Sequence, residues 1–222
     1  MKVSIVIPVY NEFRTFGQVL ERVQQAPLPQ GCTSEIIVID DGSTDEPLPI
    51  PSDVIYRRIE HAGKGSAIRT GIALATGDVV LIQDGDLEYD PNDYARLLEP
   101  IAAGRADIVY GSRFRGGPVA MALKNRLANR VLTLAANLLY GAQITDEATA
   151  YKAFRISVLR RMQLECRRFE FCPEVTAKAR RLGYRIHEVP VSYNARGIAD
   201  GKKIRARDGW EALWTLLKYR FR

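Results

Sequence analysis

Short aliphatic and β-branched runs, alternating with stretches of helical spacing, are the feature that most restricts how this 222-residue chain can fold. Lys2–Pro8, Ile36–Asp40, Val54–Arg58, Val79–Gln83 and Ile108–Gly111 read as strands. Glu12–Gln25, Lys64–Ala75 and Pro91–Ala103 read as helices, the last opening on a proline suited to a first helical turn. Such alternation requires crossover connections. The expected class is therefore α/β, a mostly parallel sheet flanked by helices, in one domain over 1–222. In these sheets ligands gather beyond the carboxyl ends of the strands, so the residues at those ends decide the chemistry.

Two strands end in acids. Ile36–Ile39 runs into Asp40-Asp41-Gly42-Ser43-Thr44-Asp45, and Val79–Gln83 runs into Asp84-Gly85-Asp86. Asp84 and Asp86 are two apart, which on a strand puts both on one side, and Gly85 allows a close turn. Oxygen-only ligands suit Mg²⁺ or Mn²⁺ bridging phosphates, because a diphosphate supplies the remaining oxygens. Taken singly, each Asp-Gly pair is also an ordinary turn. Two such clusters at one sheet edge favour the metal.

The formal net charge of +6 favours anionic partners. Nucleic acid is not expected among them: the aromatics form no stacking strip, and the acid clusters would repel a backbone. Cys32, Cys166 and Cys172 have no CxxC spacing and read as reduced thiols, consistent with a cytoplasmic protein. No apolar run reaches the roughly 18 residues of a membrane span, which leaves peripheral association with a membrane.

PVYNE at 8–12, DDGSTD at 40–45, GKGSAIRTG at 63–71, Asp84 and Asp86, and GSR at 111–113 resemble, in order, the inverting family-2 glycosyltransferases of the GT-A fold. The nearer likeness is to the branch of dolichol-phosphate mannose synthase and bacterial polyprenyl-phosphate sugar transferases. It implies a nucleotide-sugar-binding half over 1–115 and an acceptor-binding half over 116–222. Pro8, Tyr10, Glu12, Asp41, Lys64 and Gly85 would surround the donor, and Asp84 and Asp86 would hold the metal. Arg113 would act at the reacting centre, and with Arg126, Asp146 and Thr149 it would bind the acceptor. A mobile basic lid near 194–207 would bring Arg196 and Lys203 to the donor phosphates. Glu88 stands where the mannose synthases carry glutamine, which leaves the donor sugar open.

Ala120–Tyr140 reads as one helix with Leu123, Leu127, Val131, Leu134 and Leu138 at helical spacing, and Asp208–Arg222 carries Trp210, Leu213, Trp214, Leu217 and Phe221. Each apolar stripe fits either core packing or a membrane interface. Glu170 and Glu174, near a helix through Pro173–Leu182, are expected to be solvated. Glu188–Tyr193 reads as an edge strand.

The expected reaction is one in-line displacement at the anomeric carbon. A phosphate monoester is largely dianionic at neutral pH and attacks without a base, whereas a hydroxyl acceptor needs one, for which Asp146 and Glu147 are nearest in the chain. The favoured acceptor is thus a polyprenyl or dolichyl phosphate at a membrane surface, with a membrane-spanning partner possible. The alternative is a hydroxyl acceptor on a glycan. A sugar nucleotidyltransferase fits less well, since Val9-Tyr10-Asn11-Glu12 replaces the glycine-rich signature after the first strand, and a non-catalytic binding subunit, also less favoured, is separated from the enzyme by metal-dependent binding of a nucleoside diphosphate.

Overall fold

The computed structural model describes residues 1–117, 121–195 and 206–222. Seven strands form one sheet, β1 (Lys2–Val9), β2 (Thr33–Asp40), β3 (Ile55–Arg58), β4 (Val79–Ile82), β5 (Ile108–Ser112), β6 (Lys152–Arg155) and β7 (His187–Pro190), in the order β3-β2-β1-β4-β6-β5-β7. Five are the expected runs, moved by a few residues at their ends. β7 takes the sheet edge opposite β3, as its sequence suggested, but ends at Pro190. The unexpected member is β6, which runs antiparallel between β4 and β5. All other pairings are parallel.

Alternation along the strands builds two cores. Val6, Ile37, Ile39, Val80 and Ile82 face the layer of α2 (Lys64–Leu74), α4 (Leu123–Tyr140), α5 (Ile156–Met162), α6 (Phe171–Arg181) and α7 (Ala206–Phe221). Ile5, Ile7, Val38, Val79 and Leu81 face α1 (Phe13–Gln24) and α3 (Tyr94–Ala102). A period of two with both faces covered is why these strands read as continuous aliphatic runs. The helix expected from Ala120 begins at Leu123. The one expected over Pro91–Ala103 splits into a 3-10 turn at Pro91–Asp93 and α3.

Register brings the motifs together. Val9 pairs with Asp40 and Val6 with Ile82, so the carboxyl ends of β1, β2 and β4 lie side by side. The Asp41 N–H donates to the Val9 carbonyl at 2.8 Å, and the Gln83 N–H to that of Val6 at 3.0 Å. Pro8 is buried past the last β1–β4 pair, where its missing N–H interrupts no bond to β4.

Candidate active site

The acidic turn after β4 is anchored from beneath. Gln83, fully buried, donates from Nε2 to the Asp84 carbonyl at 2.8 Å. Its Oε1 accepts from the hydroxyls of Tyr94 at 2.7 Å and Tyr151 at 2.8 Å. Asp86 then accepts the Glu88 N–H on Oδ1 at 3.0 Å, which tightens the turn. A Cβ on Gly85 would lie 3.3 Å from the Pro8 carbonyl oxygen, so glycine lets the turn pack against β1. Gln83 was not singled out in the sequence, although a polar residue closing an aliphatic run was a usable signal.

Lys64 places its Nζ 2.5 Å from Asp84 Oδ1. Burial alone would lower its pKa, but Asp84, with a smaller contribution from Asp86, holds the ammonium above the ordinary lysine range. The loop presenting Lys64 is clamped on both sides. Asp41, almost fully buried, accepts the N–H groups of Ala62 at 2.8 Å and Gly63 at 2.9 Å. Opposite, Gly65 and Ser66 donate to the carbonyls of Arg168 and Arg167, each at 2.9 Å. Gly63 has φ +99°, and an added Cβ would stand 2.6 Å from the Arg167 oxygen, so only glycine fits there. Tyr10 stacks on His61 with centroids 4.2 Å apart, and His61 Nδ1 lies 2.9 Å from Asp41 Oδ2. His61, which no motif flagged, thus joins two expected donor residues. Glu12 caps α1 and accepts from the Thr15 hydroxyl at 3.3 Å.

Asp84 and Asp86 fit a divalent cation in their chemistry: hard oxygen donors at a strand end, where the structure itself sets an ammonium against one carboxylate. Among the described residues no group of three or more His, Cys, Asp or Glu forms a closed metal cage. Two carboxylates instead suit an ion that takes its other oxygens from a bound diphosphate.

The residues expected to bind the acceptor are built differently. Arg113 and Asp146, both buried, form a forked pair, with Nε to Oδ2 and Nη2 to Oδ1 each at 2.7 Å. Asp146 also accepts the Arg113 N–H at 3.0 Å and Asn129 Nδ2 at 2.9 Å. Four donors converge on its two oxygens, and Nη1 of Arg113 is the guanidinium nitrogen outside this pair. Asn129 is on α4, and Arg126, exposed, precedes it by three residues, so both belong to one side of the helix. Thr149 is fully buried and donates to the Gly111 carbonyl at 2.6 Å, a contact that closes the loop between α4 and β6 onto β5. Glu188 on β7 supports the same loop by accepting the N–H groups of Thr145 at 2.9 Å and Asp146 at 3.2 Å. Arg196 and Lys203 lie outside the described residues, as does most of the expected lid.

Glu147 is sealed beside this loop. Its Oε2 accepts from the Thr176 hydroxyl at 2.9 Å, while Oε1 is buried with no hydrogen-bond partner among the described residues. Burial, with smaller contributions from Asp146 and Glu188, pushes its pKa up to about 8 against the opposing pull of Lys152. A raised folded-state pKa means that stability is fully present below about 4.5 and is lost as pH rises through about 8. The maximal slope for one such group is ~1.4 kcal/mol per pH unit. Glu147→Gln is therefore expected to flatten the fall in denaturant-derived stability between pH 5 and 8. An unchanged slope would show that Glu147 does not titrate in this way.

Outward-facing helices complete the picture. The buried side of α4 is Asn129, Thr133, Ala136 and Tyr140, with Leu139 packed beside them, while Leu123, Leu127, Leu134 and Leu138 face out, Leu123 at 80% and Leu138 at 76% exposure. On α7, Trp210 is 75% and Phe221 85% exposed, while Ala212, Leu216 and Tyr219 pack inward. No helix among the described residues is long and apolar enough to cross a membrane. Glu174, expected to be solvated, is fully buried: it accepts the N–H groups of Glu165 and Cys166, each at 2.7 Å, and pairs with Lys178 at 2.6 Å. The three cysteines are free.

Comparison with known proteins follows the same outline. The family model described as Glycosyl transferase family 2 matches residues 4–163. A dolichol-phosphate mannosyltransferase of Pyrococcus furiosus is 30% identical over 217 residues, 91% of this chain and 59% of the relative. An undecaprenyl-phosphate mannosyltransferase of Micrococcus luteus is 31% identical over 218 residues, 91% of this chain and 87% of the relative. The chain thus spans somewhat less than two thirds of the first and most of the second. Among solved structures, glucosyl-3-phosphoglycerate synthase from Mycobacterium tuberculosis with uridine diphosphate superposes with TM-score 0.77 at 23% identity, covering 99% of this chain and 80% of the other. The same protein with Mn²⁺, uridine-diphosphate-glucose and phosphoglyceric acid gives 0.74 at 24% identity, with the same two shares covered. These likenesses show the fold.

Proposed function

We propose, for a chain that belongs to glycosyl transferase family 2 and is a glycosyltransferase of the GT-A fold, that a sugar passes from a uridine- or guanosine-diphosphate donor to a polyprenyl phosphate at a membrane surface. The observation that carries this reading is the inverted α4. A helix that buries Asn129, Thr133 and Ala136 while exposing Leu123, Leu127, Leu134 and Leu138 presents an apolar surface to something other than its own core. With the tryptophans of α7 and the nearby Lys124, Arg126, Lys218 and Arg220, the surface has the composition of an interfacial patch on anionic lipid. The Pyrococcus and Micrococcus relatives, named for lipid-phosphate acceptors, agree with it.

The chemistry points the same way. A hydroxyl acceptor needs a general base, and both carboxylates nearest in the chain are committed: Asp146 to four donors, Glu147 to a sealed pocket. A phosphate acceptor needs orientation instead. Arg113, its plane fixed by Asp146, and Arg126 would hold the acceptor phosphate, guanidinium forks being suited to its oxygens. An acceptor oxygen then attacks the anomeric carbon as the bond to the diphosphate breaks, and the nucleoside diphosphate leaves with inversion. Tyr10, His61 and Asp41 would line the nucleoside, Asp84 and Asp86 would hold a Mg²⁺ or Mn²⁺ ion, and Lys64 would neutralise the diphosphate. When bound, the cation supplies charge stabilisation to the leaving group.

The test is a turnover panel of nucleotide-sugars against a short polyprenyl phosphate in anionic vesicles and against phosphoglycerate in solution. Transfer to the lipid phosphate is expected. In the same vesicles, replacing Trp210 and Trp214 together by alanine is expected to reduce co-sedimentation about 10-fold or more. Transfer only to the soluble hydroxyl acceptor, by a chain that ignores vesicles, would reject the reading.

A further inference from the structure

Tyr193 falls in no motif, yet it touches both sides of the site. Its hydroxyl donates to Glu88 Oε2 at 2.9 Å. Its ring lies under the Arg113 guanidinium, 4.9 Å from centroid to carbon. Its backbone forms an isolated antiparallel bridge with Tyr89, and the next N–H, of Asn194, donates to the Glu88 carbonyl at 2.8 Å. Glu88 is coupled in turn to the acidic turn, because its own N–H is the one accepted by Asp86 Oδ1. One side chain therefore restrains the carboxylate loop through its hydroxyl and Arg113 chiefly through its ring.

The frame around it is rigid. Tyr89 stacks on Tyr151 at 4.5 Å, meets Tyr193 edge-on at 5.1 Å, and accepts the Ala150 N–H on its hydroxyl at 3.0 Å. Tyr151 joins Tyr94 on the Gln83 amide, directly before Asp84. The tyrosines thus link the loop before β6, the carboxylate turn and the segment after β7 in one aromatic layer, and Tyr193 sets its ring face against Arg113.

We propose that Tyr193 is a positioning residue that sets the metal-side carboxylates through Glu88 and the acceptor-side guanidinium of Arg113 through its ring, so that one residue aligns both reactants. This rests on the assignment of those two sides made under Proposed function. The hydroxyl donates to Glu88 and also lies close to the Arg113 guanidinium, whereas the ring face meets only the guanidinium, so substitution separates the ring from the hydroxyl. Tyr193→Phe keeps the ring and removes the hydroxyl, and Tyr193→Leu removes both.

The experiment is calorimetric titration of a nucleoside diphosphate (uridine and guanosine forms) in the presence of Mn²⁺, together with acceptor KM for short polyprenyl phosphate. Tyr193→Phe is expected to weaken Mn²⁺-dependent nucleotide binding about 10-fold, the scale of a lost hydrogen bond to a charged group, with a smaller change in acceptor KM because the ring still faces Arg113. Tyr193→Leu is expected to add a rise of about 5-fold or more in acceptor KM. In a Glu88→Ala background the Tyr193→Phe effect should vanish, whereas Glu88→Gln, which keeps an acceptor oxygen, should retain most of it. Nucleotide binding within two-fold of wild type in Tyr193→Phe, or an undiminished effect in Glu88→Ala, overturns the proposal. Mn²⁺-dependent nucleotide binding by a wild-type protein that transfers nothing to lipid phosphate overturns the acceptor assignment alone, and with it the Arg113 half of the inference.

Discussion

Asp86→Ala is expected to lower turnover about 10²–10³-fold, the scale seen when one preorganised contact to developing charge is lost, with the fold retained. Two features make Asp86 the more informative of the two carboxylates. Asp84 already carries Lys64 on Oδ1, so its removal also releases a part-buried ammonium and confounds the result. Asp86 holds the turn through the Glu88 N–H, a contact whose loss should alter the local setting of the turn but not the fold, because Gln83 keeps the strand end fixed from below. The measurements are kcat with the best donor, Mn²⁺-dependent nucleoside diphosphate binding, and circular dichroism. A variant of native spectrum that binds and turns over normally would remove the metal role from Asp86.

The carboxyl-end acids were legible in the sequence because their environment repeats locally. Each aliphatic run announces a buried strand, and in a parallel sheet such runs end at one edge, so Asp41 and Asp84 fall at the same sheet edge, on either side of β1, without any long-range knowledge. β6 had no comparable signal: Lys152-Ala-Phe-Arg155 is four residues with charge at both ends, and its partners β4 and β5 are set by the fold. Orientation was likewise hidden on α4. Leucines at helical spacing define a stripe but not its direction, and most of the buried positions, Asn129, Thr133 and Ala136, are small or polar residues whose partners lie elsewhere, as Asn129 on Asp146 illustrates. Glu174 was misjudged for a related reason. A lone glutamate on a helix ordinarily faces water, and here two backbone N–H groups from the preceding loop, with Lys178, hold it inside.

Arg113→Ala should be the most damaging single change on the acceptor side, because it acts on stability and function together. The guanidinium is the cationic partner of Asp146, a carboxylate with no exposure, and removing one member of a buried pair costs about 3–5 kcal/mol by leaving the other charge uncompensated. Asn129 and the residue-113 N–H still donate to Asp146, which places the expected loss at the lower end of that range. Denaturant unfolding monitors it through a shift in midpoint at constant slope. Arg113→Lys separates the two effects: an ammonium keeps the charge opposite Asp146 but not the fork, nor the planar face against Tyr193. With that variant most of the stability should return, while transfer to lipid phosphate stays low and Mn²⁺-dependent nucleotide binding stays normal. If lysine restores transfer along with stability, Arg113 is a structural counter-ion to Asp146, and the acceptor phosphate must be held by Arg126 or by residues beyond those described.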